Sequence, residues 1–329
     1  MAKKITNKMV MTSVLIMALS VISVYGQMPT NPSIPFAPSF YQRPVYAQFL
    51  DSSHIIKGDS SGVSVIELES RKVTERKLEG TVITAMMSNP HKEGHVAFAS
   101  DQGDVYFCSL VENTLECTKL DLAQNASVGI VKSILFHDVL PDKILFAGTD
   151  AIAICSFDGN ELTVNKIASM EPFEDGIVFA FPDNLSEEWF LISGTQESRF
   201  RCNWESGEIV SIPEKTLEHG ARLKKDGFSY FALGENQEYF NISFMLARPT
   251  FIKRYPQKPN VYIAATIGVS PMIITLENRN HYDLKHLTNN RFLTFSIDVD
   301  RNNLDHLIFT TSSGIVFSGD GGLNWETIE

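Results

Sequence analysis

The chain is poor in cysteine, with 4 among 329 residues. That excludes a small scaffold held by disulfide density, so a chain of this length must rest on a hydrophobic core. It lacks any run of lysine and arginine interleaved with aromatics, and its formal net charge is −11. A charge of that sign repels a phosphate backbone, which excludes nucleic acid as a partner. The nearest approach to a basic patch, Phe251-Ile252-Lys253-Arg254-Tyr255, reads as a solvated strand end. Helical periodicity is scarce along the whole chain, and after Val24 no apolar run is long enough to span a membrane. What is present is 43% hydrophobic and 20% charged residues, the balance of a globular protein.

The first residues read MAKKITNKMVMTSVLIMALSVISVYGQ. Lys3, Lys4 and Lys8 precede an apolar stretch from Met9 to Val24, and Val24 and Gly26 stand at −3 and −1 of a cleavage before Gln27. The stretch is shorter than the ~20 residues of a spanning helix. No cysteine follows it, so a lipoprotein anchor is not indicated. The expectation is a signal peptide over 1–26, a linker over 27–39 and one folded domain over 40–329. The mature protein is then secreted or periplasmic, with no stable membrane insertion after cleavage.

Short strand-like stretches recur: VAFASDQG from 96, ILFAGTDA from 144, WFLISGTQ from 189, VYIAATIG from 261 and LIFTTSSG from 307. Each follows an alternating apolar strand and a polar turn, and precedes a further strand and a second turn, giving four strands per unit. The position of Ser318 in the last unit aligns with Glu67, Ser109, Ser156, Asn203, Asn241 and Thr275, at intervals of 42, 47, 47, 38, 34 and 43 residues. Cys108, Cys155 and Cys202, each one residue before that position, are 47 apart. Seven units of ~40 residues predict an all-β fold, a seven-bladed β-propeller of four-stranded blades. The fifth unit, about 219–250, has a poor first strand.

The chain ends in GIVFSGDGGLNWETIE. Ser318 and Asp320 are placed to bind backbone N–H groups of a tight turn, Gly322 accepts a positive φ, and Trp325 returns to pack over it. Ser318-x-Asp320-x-Gly322-x-x-Trp325 resembles the Asp-box, or BNR repeat, found in sialidases, sortilin-type receptors, some glucanases and photosystem II assembly factors. Asn324 stands where threonine is usual. Decayed copies are read at Ser156/Asp158, Asn203/Glu205/Gly207, Thr275/Glu277 and Glu67/Glu69. The resemblance implies the propeller fold and a structural role for the motif, and it implies no single activity.

Sialidases of this fold carry an arginine triad, a tyrosine nucleophile with a glutamate, and an acid/base residue. Here Arg43-Pro44 lacks the isoleucine of the first arginine's motif, and Arg201, Arg222, Arg248 and Arg254 read as solvated strand or loop residues. The paired carboxylates Glu187/Glu188 and Asp298/Asp300 fall in turns between first and second strands, on the face opposite the usual site. Asp298, Asp300 and Asn302 superficially resemble a calcium loop, but the sixth-position glycine and the twelfth-position glutamate are missing, which favours an Asx-rich turn. His91 and His95 have no third ligand. Cys108 and Cys117 flank a hairpin turn and are the one pair placed for a disulfide, whereas Cys155 and Cys202 lie in adjacent blades. Asn125, Asn184 and Asn241 stand in N-glycosylation sequons, which matter only in a eukaryotic source.

No catalytic or metal residue is assigned and no cofactor is required by these residues. The leading reading is a secreted, non-enzymatic propeller that binds a protein or glycan ligand. The competing readings are a glycoside hydrolase of sialidase-like architecture and an exported assembly or maturation factor.

Overall fold

Apolar residues that alternate or run unbroken for five to seven positions, bounded by Gly, Asx and Pro turns, become strands along the chain. The computed structural model describes residues 45–328 apart from 121, 123–127, 160, 170–176, 183–186, 195–198, 212–228, 234–238, 244–247, 259–260, 268–269, 279–280, 289–293 and 312–313. The expected signal peptide and linker, Arg43, Arg222, Asn125 and Asn184 lie outside the described residues. Among those described, every regular element is a strand.

The first blade is β1 (Tyr46–Phe49), β2 (His54–Asp59), β3 (Gly62–Glu67) and β4 (Lys72–Lys77). The second is β5 (Ile83–Ser88), β6 (His95–Ser100), β7 (Val105–Val111) and β8 (Thr114–Leu120). The third is β9 (Val131–Phe136), β10 (Lys143–Gly148), β11 (Ala151–Phe157) and β12 (Leu162–Ser169). The fourth is β13 (Ile177–Pro182), β14 (Trp189–Gly194), β15 (Arg199–Asn203) and β16 (Ile209–Ser211). A two-stranded sheet follows, β17 (Ser229–Leu233) with β18 (Tyr239–Ser243). Two more four-stranded sheets close the chain: β19 (Arg248–Arg254), β20 (Val261–Ile267), β21 (Met272–Asn278) and β22 (His281–His286), then β23 (Thr294–Val299), β24 (Leu307–Thr311), β25 (Gly314–Ser318) and β26 (Glu326–Thr327).

Each four-stranded sheet is an antiparallel meander in sequence order. The first strands β1, β5, β9, β13, β19 and β23 neighbour one another in that order, and β23 returns to β1. This is an all-β β-propeller with four-stranded blades. The expectation of seven four-stranded blades is corrected to six among the described residues, because β13 neighbours β19 directly and the intervening sheet has two strands. The first strand of the fifth sequence unit would fall in 214–226, EKTLEHGARLKKD, which lies outside the described residues.

Second strands are the core. β6, β10 and β24 are buried along almost their whole length, since both faces of each blade are covered by neighbouring blades. Phe98, Phe146, Phe190, Tyr262 and Phe309 are large aromatic side chains on these strands with less than 2% exposure. Burying each aromatic contributes about 2–3 kcal/mol. Outer strands meet solvent, as in β4, whose residues alternate exposed and half-buried.

A first strand has a partner on one edge only, and its other edge leaves buried N–H groups to satisfy. Polar side chains of the neighbouring first strand do this. Gln48 Oε1 accepts from the Ser88 N–H at 2.9 Å, and Ser133 Oγ from the Ala180 N–H at 3.0 Å. Ser296 Oγ accepts from the Ala47 N–H at 2.9 Å, and Asp298 Oδ2 from the Phe49 N–H at 3.0 Å. The last two join the final blade to the first. Each terminal blade is built from its own contiguous strands, so the ring closes through these side chains and through an apolar seam of Ala47, Phe49, Ile55, Ile66, Ile308, Ile315 and Ile328.

Candidate functional site at the ends of the first strands

Among the described residues, β1, β5, β9, β19 and β23 end at one face, and the residue after each begins a turn to the second strand. The N–H groups of Leu50, Asn89, His137, Tyr255 and Asp300 all donate to the carbonyl that opens the next strand, at 2.8–3.1 Å, so these positions are equivalent. Three of them also cap the turn with their side chains. Asn89 Oδ1 accepts from the His91 N–H, Asp300 Oδ1 from the Asn302 N–H, and His137 Nδ1 from the N–H groups of both Val139 and Leu140.

These turns surround a cavity of about 390 Å³, reached by the ends of β1, β5, β9, β19 and β23. Its walls are apolar where Phe49, Met87, Phe136 and Val299 contribute. Its charges are cross-linked between blades. Lys253 Nζ lies 2.6 Å from Asp298 Oδ1, and Arg254 Nη1 lies 2.6 Å from Asp138 Oδ2. Arg301 donates to the carbonyls of Asn89, at 2.9 Å, and of Pro90. The stretch expected to be a solvated strand end therefore points inward: Lys253 and Arg254 are half-buried and paired with carboxylates of two other blades. Burial pushes the Asp138 carboxyl above its ordinary value, against the pull of Arg254.

Asp298 also accepts from the Val299 N–H at 2.9 Å, so with Phe49 and Lys253 it has three donors and serves as a structural anchor. Asp300 differs. Its side chain is 2% exposed, its Oδ2 has no hydrogen-bond partner, and His306 Nδ1 stands 3.6 Å away. The pair read as a candidate carboxylate couple is thus split, Asp298 tied to Lys253 and Asp300 capping its turn. Asp300 and Asn302 form an Asx turn without Asp298, and no metal-binding group is found among the described residues. His91 Nε2 donates to the His137 carbonyl at 2.6 Å while His95 Nδ1 meets the Glu93 carbonyl at 2.8 Å, which sends the two rings to different partners. Glu187 and Glu188 are exposed. Arg201 lies 5.0 Å from the Trp189 ring centre. Arg248 and Asn241 lie on β19 and β18, with their side chains outside the described residues. The inward cations were missed by sequence reasoning because their partners lie in other blades.

The closing turn is tied together by its own side chains. Ser318 Oγ accepts from the Gly322 N–H at 2.9 Å, and Asp320 Oδ1 from the N–H groups of Leu323 and Asn324 at 3.0 and 2.8 Å. The Asn324 backbone and amide donors hold the Asp320 carboxyl below its ordinary value. Gly322 has φ +88°, and a Cβ there would lie 3.2 Å from both the Trp325 ring and Leu287. Trp325 Nε1 donates to the Leu287 carbonyl at 2.8 Å, fastening the turn to the preceding blade. Cys108 and Cys117 are directly opposed on β7 and β8 and their sulfurs are bonded at 2.08 Å. Cys155 and Cys202 are buried free thiols, each pushed up to about 12 by burial.

Fold and cavity together define the class, a β-propeller with a closed ring of first strands and a recessed site on one face. No family model and no curated protein sequence matches the chain. Among solved structures it is similar to Kuenenia stuttgartiensis hydrazine synthase, at 9% identity over 83% of this chain and 76% of that one, with a TM-score of 0.50. At that identity the likeness is one of fold.

Proposed function

We propose that the chain is an exported, non-enzymatic β-propeller that presents the first-strand face as a binding platform for a protein or glycan ligand. The observation that carries this reading is the cavity's chemistry. Its carboxylates Asp138 and Asp298 are committed to Arg254 and Lys253, and Asp298 holds the ring closed. A glycosidase needs one carboxyl group free to protonate a leaving oxygen and another free to act on the sugar or a water. A recess whose inner cations and two of whose carboxylates are paired across blades, with Asp300 Oδ1 capping its own turn, suits recognition better than turnover. Export rests on the basic and apolar segment over 1–26. The closing turn is read as an Asp-box that fixes the fold, and β17 with β18 as the remnant of a fifth among seven sequence units, since Asn241 lies on β18 as Ser109 and Ser156 lie on third strands.

The test pairs an array of immobilised glycans and peptides with a panel of fluorogenic glycosides, on the wild type and on Asn302→Trp. Asn302 is exposed at the rim and its side chain bonds Glu93, so the indole narrows the recess without touching the core. The expected result is saturable array binding without turnover, weakened at least tenfold in the variant. Turnover of any glycoside that the variant abolishes would replace this reading with the hydrolase.

A further inference from the structure

We infer that the recess seats one apolar side chain, aromatic or branched aliphatic, carried by a basic segment of a partner protein. The inference rests on the platform reading and narrows its ligand to a protein. Three features of the first-strand face carry it.

The first is the state of the lining. Its polar side chains are already engaged within the protein. Lys253 and Arg254 are paired with Asp298 and Asp138. Asp51 meets the His54 imidazole at 3.0 Å, and Glu93 accepts from the Asn302 amide at 2.8 Å. Gln257 donates to the Arg301 carbonyl, Arg301 to the carbonyls of Asn89 and Pro90, and Asp300 caps its own turn. An ion or a sugar entering here competes for groups that have partners and gains little net. The walls have no such commitment. Phe49, Met87, Phe136 and Val299 each keep a small exposed area, and an apolar group that displaces water from them is favoured. A volume of about 390 Å³ admits one large side chain and is too small for an extended oligosaccharide.

The second feature is an apolar turn at the rim. Asp138 lines the recess, and the next two residues, Val139 and Leu140, are 50% and 39% exposed. They are the one consecutive pair among the exposed large apolar side chains of the described residues. Both of their N–H groups donate to His137 Nδ1 at 3.1 Å, so the turn is set before a partner arrives and little ordering remains to oppose binding. The third feature selects the partner's flanks. Asp142, Glu187 and Glu188 stand exposed on the turns of this side, with Lys143 half-buried among them, and Glu187 bears electrostatically on both Asp138 and His137. Basic residues beside the inserted side chain meet a complementary potential there. A second copy of this chain brings the same carboxylates and a formal charge of −11, which opposes self-association through this face.

The probes are three blocked tripeptides, acetyl-Lys-Trp-Lys-amide and its Lys-Ala-Lys and Glu-Trp-Glu counterparts, titrated into the purified protein by ligand-observed NMR. Lys-Trp-Lys should bind saturably and about tenfold more tightly than Lys-Ala-Lys, from the apolar area the indole buries. It should exceed Glu-Trp-Glu by roughly threefold in dilute buffer, and added salt should close that second gap while leaving the first. Val139→Ser with Leu140→Ser, at exposed positions where the backbone bonds are kept, should weaken Lys-Trp-Lys roughly threefold. Asn302→Trp, which narrows the recess, should weaken it about tenfold or more. Equal binding of Lys-Trp-Lys and Lys-Ala-Lys, tighter binding of Glu-Trp-Glu, absence of saturable peptide binding, or indifference to both variants would each overturn the inference. So would self-association in sedimentation that the Val139 and Leu140 substitutions abolish, which assigns the face to a second copy. The platform reading survives any of these results if Asn302→Trp still weakens binding to the glycan array, with a glycan then the occupant. Conversely, glycoside turnover would sink the platform while the peptide preference stands.

Discussion

Trp325 concentrates three tasks in one side chain. Its ring lies 4.8 Å from Phe309, its Nε1 donates to the Leu287 and Gly322 carbonyls, and its edge stands 3.2 Å from where a Cβ at Gly322 would lie. The ring is half-buried, so truncation costs less than the 3–5 kcal/mol of a fully buried tryptophan, and Trp325→Ala should lower stability by about 2–3 kcal/mol. Trp325→Phe keeps most of the packing and loses the indole donor, at a cost of about 1 kcal/mol. Thermal melts of both variants check the order. Equal melting points for wild type and Trp325→Ala would remove the structural role of the closing turn.

At the scale of elements, the turn after β9 shows how a single acceptor organises a connection. His137 Nδ1 receives the N–H groups of Val139 and Leu140, which requires a neutral imidazole, and the ring packs 5.0 Å from Trp204 of the next blade. Burial pushes the His137 imidazole below its ordinary value, against the pull of the Glu187 carbonyl and Asp138. The unfolded chain therefore takes up the proton first. This part of the stability is whole above pH ~6.5 and is lost as pH falls below that value toward the folded pKa. His137→Asn retains an acceptor that does not titrate, so urea midpoints between pH 8 and 5 should fall less steeply in the variant. Some acid dependence persists, because burial also lowers the His95 pKa. Parallel curves for the two proteins would disprove the assignment.

Much at this scale was legible in advance. Stretches such as ILFAGTDA and LIFTTSSG mark second strands because both faces of those strands are covered, and the aligned third-strand positions of Ser109, Ser156 and Ser318 give the blade period. Only two strands of the fifth sequence unit fall among the described residues, so six four-stranded blades are seen there. The candidate site was hidden for a different reason. Lys253 and Arg254 look solvated when read along the chain, and only closure of the ring brings Asp298 and Asp138 to them. Likewise Gln48, Ser133 and Ser296 look like misplaced polar residues until the N–H edge of the neighbouring first strand is beside them.

At the scale of the molecule, closure is the central mechanical problem, since among the described residues the first and last blades share no strand. Asp298 is the junction: one oxygen holds the Phe49 N–H of the first blade, and the other holds Lys253 of the preceding blade and its own neighbour's N–H. Replacing it by alanine leaves an edge donor unmet and strands the Lys253 ammonium, which is 17% exposed. Breaking a buried pair in this way is expected to cost about 3–5 kcal/mol. Lys253→Met should cost less, because Asp298 keeps two backbone donors and the methionine stem fills the same space. The double variant is the decisive comparison. With no ammonium left stranded, Asp298→Ala with Lys253→Met should be more stable than Asp298→Ala alone, so that the two losses are markedly sub-additive. Urea titrations of the four proteins read this directly. Strict additivity would mean that Lys253 and Asp298 act independently, and closure would then rest on the apolar seam and the Ser296 contact.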